Sequence, residues 1–287
     1  MEWVNAVAQG ILLGGLYALF AAGLSLIFGI MRLVNIAHGD MIVFAAYLAL
    51  VVVQATGLNP LVAVLVVAPL MAVIGYVLQR LLLNPTLGRD VMPPLLVTFG
   101  LSVIIQNGLL AGFTADSRRL TAGPLETASF DIVPGLTIGE LPMLMFAAAV
   151  AVIAALELVF SRTSLGRAFR ATSDDAEIAQ LMGLNRRHVF ALAMALSAAV
   201  VAVAGVFLAV RTNFDPTSGP TRLLFGFEAV IIGGLGSLWG TLAGGVVLGV
   251  AQTVGSEISP GWQLLAGHLV FFLVLALRPR GLFPRMD

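Results

Sequence analysis

The chain has 287 residues, 59% hydrophobic and only 10% charged, with no net charge and a mean hydropathy of +1.02, which excludes an ordinary soluble domain and any electrostatic footprint for nucleic acid. The absence of cysteine excludes disulfides and thiolate metal sites. All 15 basic side chains are arginine, so a phosphate-binding loop of the GxxxxGK[ST] kind is excluded too, and any ATP that drives this protein must be hydrolysed by another chain.

The N-terminus, Met1 to Asn5, lacks the basic region of a signal peptide and runs into an apolar stretch too long for one, so it reads as a retained first span. Candidate spans follow at 4–30, 39–56, 60–83, 92–113, 141–160, 188–210, 223–238, 241–256 and 262–278. Several reach the roughly 20 residues that cross a ~30 Å hydrocarbon core. Their continuous apolar character predicts an all-α polytopic membrane protein rather than a β-barrel. The glycine-rich pair at 223–238 and 241–256 reads as two tilted or broken helices, or as one span plus a re-entrant piece, giving eight to ten crossings. Arg80, Arg89, the segment 161–188, Arg278, Arg280 and Arg285 fall on one side if the spans alternate. The positive-inside rule makes that side cytoplasmic, with the C-terminus there and the N-terminus opposite. Arg118, Arg119, Arg211 and Arg222 fall on the other side. Gly23 to Gly29 and Gly234 to Gly240 echo one another, as glycine-punctuated pieces of two related halves would.

The most polar stretch, Ser161 to His188, holds Arg162, Arg167, Arg170, Arg186 and Arg187. Within it, Thr172, Ser173 and Asp174 offer N-cap oxygens, and Asp174 with Glu177 has capping-box spacing. Ile178, Leu181 and Met182 share one face, and Gly183 supplies a left-handed terminator. The prediction is a helix of about two turns, too short to stand alone. It either rests on lipid headgroups with its arginines on phosphate, or inserts as a knob into a groove on a cytoplasmic partner.

Gly166 to Ala171, continuing through Ala176, Ala179 and Leu181-Met182-Gly183, resembles the cytoplasmic loop of the branched-chain amino acid (LIV-type) ABC permeases. Two further stretches are similar to that family in order: Gly15 to Leu19 with Gly23 to Gly29, running into Asn35-Ile36-Ala37-His38-Gly39-Asp40, and Gly233 to Gly240. The similarity covers nearly the whole chain and is to the LivH-like variety, not its longer LivM-like companion. The resemblance implies a type II ABC importer-like fold, with residues 1–287 forming one permease domain in a bacterial inner membrane. It implies a second permease subunit forming a heterodimer, two ATPase subunits that hold the ATP and Mg, a periplasmic solute-binding protein, and no cofactor on this chain. It makes the loop helix the coupling element, with Gly166, Arg167, Arg170, Asp174, Glu177, Ile178, Leu181, Met182 and Gly183 as its residues.

Asn35, His38, Glu228, Gly233 and Gly234 are the candidate pathway residues. Asn35 and Gly39 can make a tight bend with His38 and Asp40 capping the next helix; the alternatives are a lining role or an Asp–His proton relay. Glu228 either captures an amino group of the solute, pairs with Arg222, or bonds to backbone near the glycines. Glu157 reads as an interfacial anchor and His268 as a satisfied core histidine. Gln106, Asn107, Gln252 and Thr253 suit either a lining or interhelical hydrogen bonds. The expected function is import of branched-chain amino acids or related small polar solutes by alternating access; the rival is a stand-alone proton-coupled transporter or channel using His38, Asp40 and Glu228.

Overall fold

The structure, a computed structural model, describes residues 2–88, 92–133 and 136–283; Arg89 and Arg285, used above to orient the chain, lie outside the described residues. Eleven α-helices are present among them: α1 (Glu2–Met31), α2 (His38–Thr56), α3 (Pro60–Leu78), α4 (Met92–Phe113), α5 (Glu140–Arg162), α6 (Ser164–Asp174), α7 (Ala176–Leu181), α8 (Arg186–Arg211), α9 (Gly219–Gly233), α10 (Leu238–Ile258) and α11 (Trp262–Leu277). Seven stretches are long and apolar enough to cross a membrane, namely α1, α2, α3 with its continuation to Leu83, α4, α5, α8 and α10. The glycine-rich region resolves into a 15-residue α9 and a 21-residue α10, with the 16-residue apolar α11 after them.

Helix α1 is apolar all round and its middle, from Leu12 to Ile27, is buried throughout, which places it at the centre of the bundle. Helix α8 is its counterpart in burial. Helices α3, α4 and α11 instead leave Leu65, Val73, Leu96, Ile104, Phe272 and Leu273 exposed, as lipid-facing surfaces do. The seam between α1 and α10 runs antiparallel and is built on glycine. A Cβ at Gly14 would lie 2.5 Å from Val246 Cα, and one at Gly245 would lie 2.6 Å from the Gly14 carbonyl oxygen. Without side chains there, backbone meets backbone, the means by which membrane helices gain packing energy when lipid is as apolar as leucine.

Local chemistry sets the other ends. Asn59 caps α3, its side chain accepting from Leu61 N–H at 2.9 Å, with Pro60 in the first turn. The far end of α3 loosens into a π-helical turn, Gln79–Leu83. Gln79 there donates to Asn84 at 3.1 Å, and Asn84 donates to the Arg187 carbonyl at 2.9 Å, tying this end to the start of α8.

The connection 114–139 is more ordered than a loop. It carries a 3-10 turn (Gly123–Glu126) and a hairpin of β1 (Ser129–Val133) against β2 (Leu136–Gly139), with Ser129 opposite Gly139. Arg119 pairs with Glu126 at 2.6 Å, and Arg118 and Phe214 exchange backbone bonds of 2.8 and 2.9 Å. We call this end the hairpin face, and the opposite end, where α6 and α7 lie, the island face. The echo between Gly23–Gly29 and Gly234–Gly240 does not extend to conformation. The first lies inside α1, whereas the second opens with a turn in which Gly234 and Gly236 have φ of 110° and 80°.

One departure from simple spanning matters for the site. His38, the first residue of α2, bonds through Nε2 to the carbonyl of Phe20 at 2.9 Å. Phe20 sits eleven residues before the end of α1, so α2 begins roughly 16 Å above that end at 1.5 Å per residue. The segment between Arg32 and Ala37 climbs back to mid-bundle as irregular chain and a turn, with Leu33, Asn35 and Ala37 buried in protein, the setting in which irregular backbone is tolerated at membrane depth.

Candidate functional site

On the island face, Thr163 caps α6 by accepting from Gly166 N–H at 3.0 Å. A Cβ at Gly166 would meet the carbonyls of Val159 and Phe160, so only glycine lets α6 fold back on the end of α5. Phe169 is fully buried against Phe160, ring centroids 5.4 Å apart, and the Arg170 guanidinium donates to the Phe160 carbonyl. Gly166 and Arg170 are therefore pins that fix α6, while Arg167 points outward. The predicted two-turn helix is α7, and a further helix, α6, precedes it where none was expected. Asp174 ends α6, and the extended Asp175 breaks the run and caps α7, accepting from Glu177 and Ile178 N–H groups at 2.9 Å each. The expected Asp174–Glu177 box is replaced by this cap because Asp175 has the extended backbone that a cap requires.

Gly183 closes α7 as predicted, at φ +89°, with Leu184 N–H returning to the Ala179 carbonyl at 3.0 Å. Of the helix's apolar side chains, Ala179 is buried, whereas Ile178, Leu181 and Met182 are 58%, 86% and 81% exposed. Asn185 then caps α8 by accepting from His188 N–H at 3.1 Å. The result is a short helix held rigidly at both ends that presents three large apolar side chains outward from an otherwise polar loop.

A first polar cluster lies where α2 begins. Asn35 folds its own turn, accepting from Ala37 N–H at 3.1 Å, which is the expected tight bend. His38 and Asp40 do not cap α2 as expected. His38 reaches the backbone of α1, and Asp40 reaches α4, accepting from Ser102 Oγ at 2.6 Å and Gln106 Nε2 at 2.9 Å. They face different helices, so the proposed Asp–His relay has no continuous path through this pair. Gly39 and Gly219 let the first turns of α2 and α9 abut, and a Cβ at Gly39 would lie 2.8 Å from Leu223 N. The Asp40 carboxylate sits at that junction, where it offsets the positive ends of both helices. Asp40→Ala removes the acceptor and costs Ser102 and Gln106 their bonds to it, leaving only the 3.2 Å bond from Gln106 to Ser102 Oγ, an expected loss of about 1–3 kcal/mol. Thermal unfolding of the detergent-solubilised variant reads it, and an unchanged midpoint would discard the assignment.

A second cluster joins α1, α9, α10 and α11. Glu228, 2% exposed, pairs with His268 Nδ1, and Tyr17 donates to Gln252 at 2.5 Å. Neither Arg222 nor glycine backbone is the Glu228 partner; the histidine is, which also satisfies His268. One carboxylate oxygen ties α9 to α11 through His268, and the other, Oε2, is buried without a hydrogen-bond partner among the described residues. Gly233 packs against Gly240, and a Cβ there would lie 2.7 Å from Thr241 N. Gly234 ends α9, where Leu282 and Phe283 N–H groups bond to the Ile232 and Gly233 carbonyls at 2.8 and 2.9 Å. These two glycines serve a close packed turn, not an open lining. Asn107 and Thr253 bond to their own helices, at 2.8 Å to Val103 and 3.1 Å to Gly249. The sequence reading missed Ser102, whose fourfold offset from Gln106 on α4 was the available signal, and the role of Tyr17.

A helical membrane bundle with an unwound entry to its second helix and a rigidly capped apolar knob on one face defines a class, the multi-pass permease. Residues 6–277 match a model of the family described as branched-chain amino acid transport system / permease component, and the chain belongs to that family. It is 29% identical over 300 residues to the high-affinity branched-chain amino acid transport system permease protein BraD of Pseudomonas aeruginosa, covering 100% of this chain and 97% of that one. It is 28% identical over 301 residues to the corresponding permease protein LivH of Escherichia coli K12, with the same coverage. Among solved structures, a chain of PsaBC from Streptococcus pneumoniae in complex with Fab shares the fold, with a TM-score of 0.51 over 97% of this chain and 96% of that chain at 12% identity.

Proposed function

We propose that this chain is the permease subunit of an ATP-driven importer for branched-chain amino acids or related small polar solutes, working by alternating access. The observation that carries this reading is α7, whose Ile178, Leu181 and Met182 stand exposed on a helix capped at both ends by Asp175 and Gly183. Apolar side chains held this rigidly suit a groove on a partner. The partner is an ATPase subunit, one of two, which carries the ATP and Mg, while this chain binds no cofactor. Residues 1–287 act as one transmembrane domain beside a second, LivM-like permease subunit, and a periplasmic binding protein delivers the solute. The island face and the C-terminus are cytoplasmic, in a bacterial inner membrane. Selectivity rests mainly with the binding protein, because the Asp40 carboxylate is held by Ser102 and Gln106 and Glu228 is paired through one oxygen with His268. The same pairing weighs against the proton-driven rival.

Proteoliposomes holding the four membrane-associated subunits, with binding protein outside and ATP inside, are expected to accumulate leucine, isoleucine or valine, and to continue doing so with a protonophore present. Uptake by this chain alone, following a proton gradient without ATPases, would overturn the reading.

A further inference from the structure

At the island face lies a cavity of about 270 Å³ between α1, α5, α6 and the turn that opens α10, at the small end of the range for ligand sites. It brings together the two echoing segments of the sequence, through Ser25 on one side and Leu238 and Trp239 on the other. Two charged side chains of opposite sign line it, Glu157 and Arg170, and they are not paired with each other. Glu157 is exposed and has no protein partner among the described residues; Arg170 uses one donor on the Phe160 carbonyl and retains others of its five. Ser25, 1% exposed, is one of the lining residues, and its buried hydroxyl has no hydrogen-bond partner. A buried hydroxyl left unpaired costs free energy that a ligand would recover. Leu238 and Trp239 form the first turn of the 21-residue α10, so the positive end of that helix faces the same space.

We propose that this cavity binds the zwitterion of a small apolar amino acid from the island face. Arg170 and the α10 N-terminus take its carboxylate, Glu157 takes its ammonium group, Ser25 bonds to either, and Phe160 and Trp239 flank the side chain. The site is separate from the mid-bundle clusters and lies against the pins that hold α6. It is therefore positioned to report imported solute to the coupling element. This regulatory use rests on the amino-acid importer reading; the binding chemistry does not.

The test is equilibrium dialysis of radiolabelled L-leucine against the complete transporter in nanodiscs, with the binding protein omitted. The wild type is expected to bind leucine saturably, Glu157→Gln to weaken binding at least tenfold, and Ser25→Ala to weaken it several-fold. Isovalerate, which lacks the amine, and isoamylamine, which lacks the carboxylate, are expected not to compete. Wild-type-like binding in Glu157→Gln, absence of binding in the wild type, or full competition by isovalerate would each overturn the proposal. Unchanged melting temperatures for both variants, expected because Glu157 is exposed and Ser25→Ala removes only a hydroxyl, separate lost binding from lost fold. Binding-protein-dependent uptake of leucine by the wild type judges the importer reading independently.

Discussion

Leu181→Asp combined with Met182→Asp is expected to abolish ATP-driven uptake while leaving the permease folded. Each side chain is more than four-fifths exposed, at 86% and 81%, so neither supports the bundle. Burying such a side chain in a partner's groove stabilises the complex by about 1.5–3 kcal/mol. Losing both contacts and placing two carboxylates in an apolar groove therefore weakens docking by roughly two to four orders of magnitude. Co-purification of the ATPases with the permease reads the docking, transport into proteoliposomes reads the coupling, and the melting temperature reports the fold. Intact co-purification and uptake would mean that α7 rests on lipid, the other reading of its sequence. The size of the effect depends on rigidity: the Asp175 cap and the left-handed Gly183 present the apolar face already formed, so binding does not have to order it.

Gly14→Val is expected to cause a large loss of stability by forcing apart the seam between α1 and α10. Its Cβ would lie 2.5 Å from Val246 Cα and 2.7 Å from Val246 N. Both are backbone atoms of α10 and neither can turn aside. The seam must open, and overpacking of this kind costs about 1–3 kcal/mol or more. Gly100 on α4 is the control, because nothing lies within 4 Å of a Cβ built there. Gly100→Ala is expected to leave the melting temperature unchanged or slightly higher, since alanine is the better helix former by about 1 kcal/mol. Equal behaviour of the two variants in detergent would show that α1 and α10 are not in backbone contact.

The helices that read clearly in the sequence are those whose signal is local. Apolar runs bounded by Asn59, Gly57 and Gly183 gave ends within a residue or two, because caps act on their own turns. The break inside 161–188 was misplaced for a related reason. Asp174 and Asp175 are both credible caps, and only the extended backbone at Asp175 decides between them. Partnerships across the bundle were not legible. Asp40 and its partners Ser102 and Gln106 are 62 and 66 positions apart, and Glu228 and His268 are 40 apart. Nothing local in an apolar helix tells which neighbour it will meet. The hairpin of β1 and β2 falls between two candidate spans, in a stretch to which the sequence pattern assigned no regular element. The resemblance gave the family, but it could not tell that Gly233 and Gly234 close a packed turn.

The meeting of α2 and α9 at Asp40 also fixes the electrical landscape inside the bundle. Two helix N-termini contribute about half a positive charge each, and the carboxylate between them returns the local sum to about zero. Glu228 and His268 are likewise set against each other, one acid to one base. Charge is thus balanced at these two points, which leaves the half-buried guanidinium groups of Arg211 and Arg222 as cations with no carboxylate in salt-bridge contact among the described residues. The fixed charge that a solute meets inside the bundle is therefore set by arginine side chains and not by helix ends.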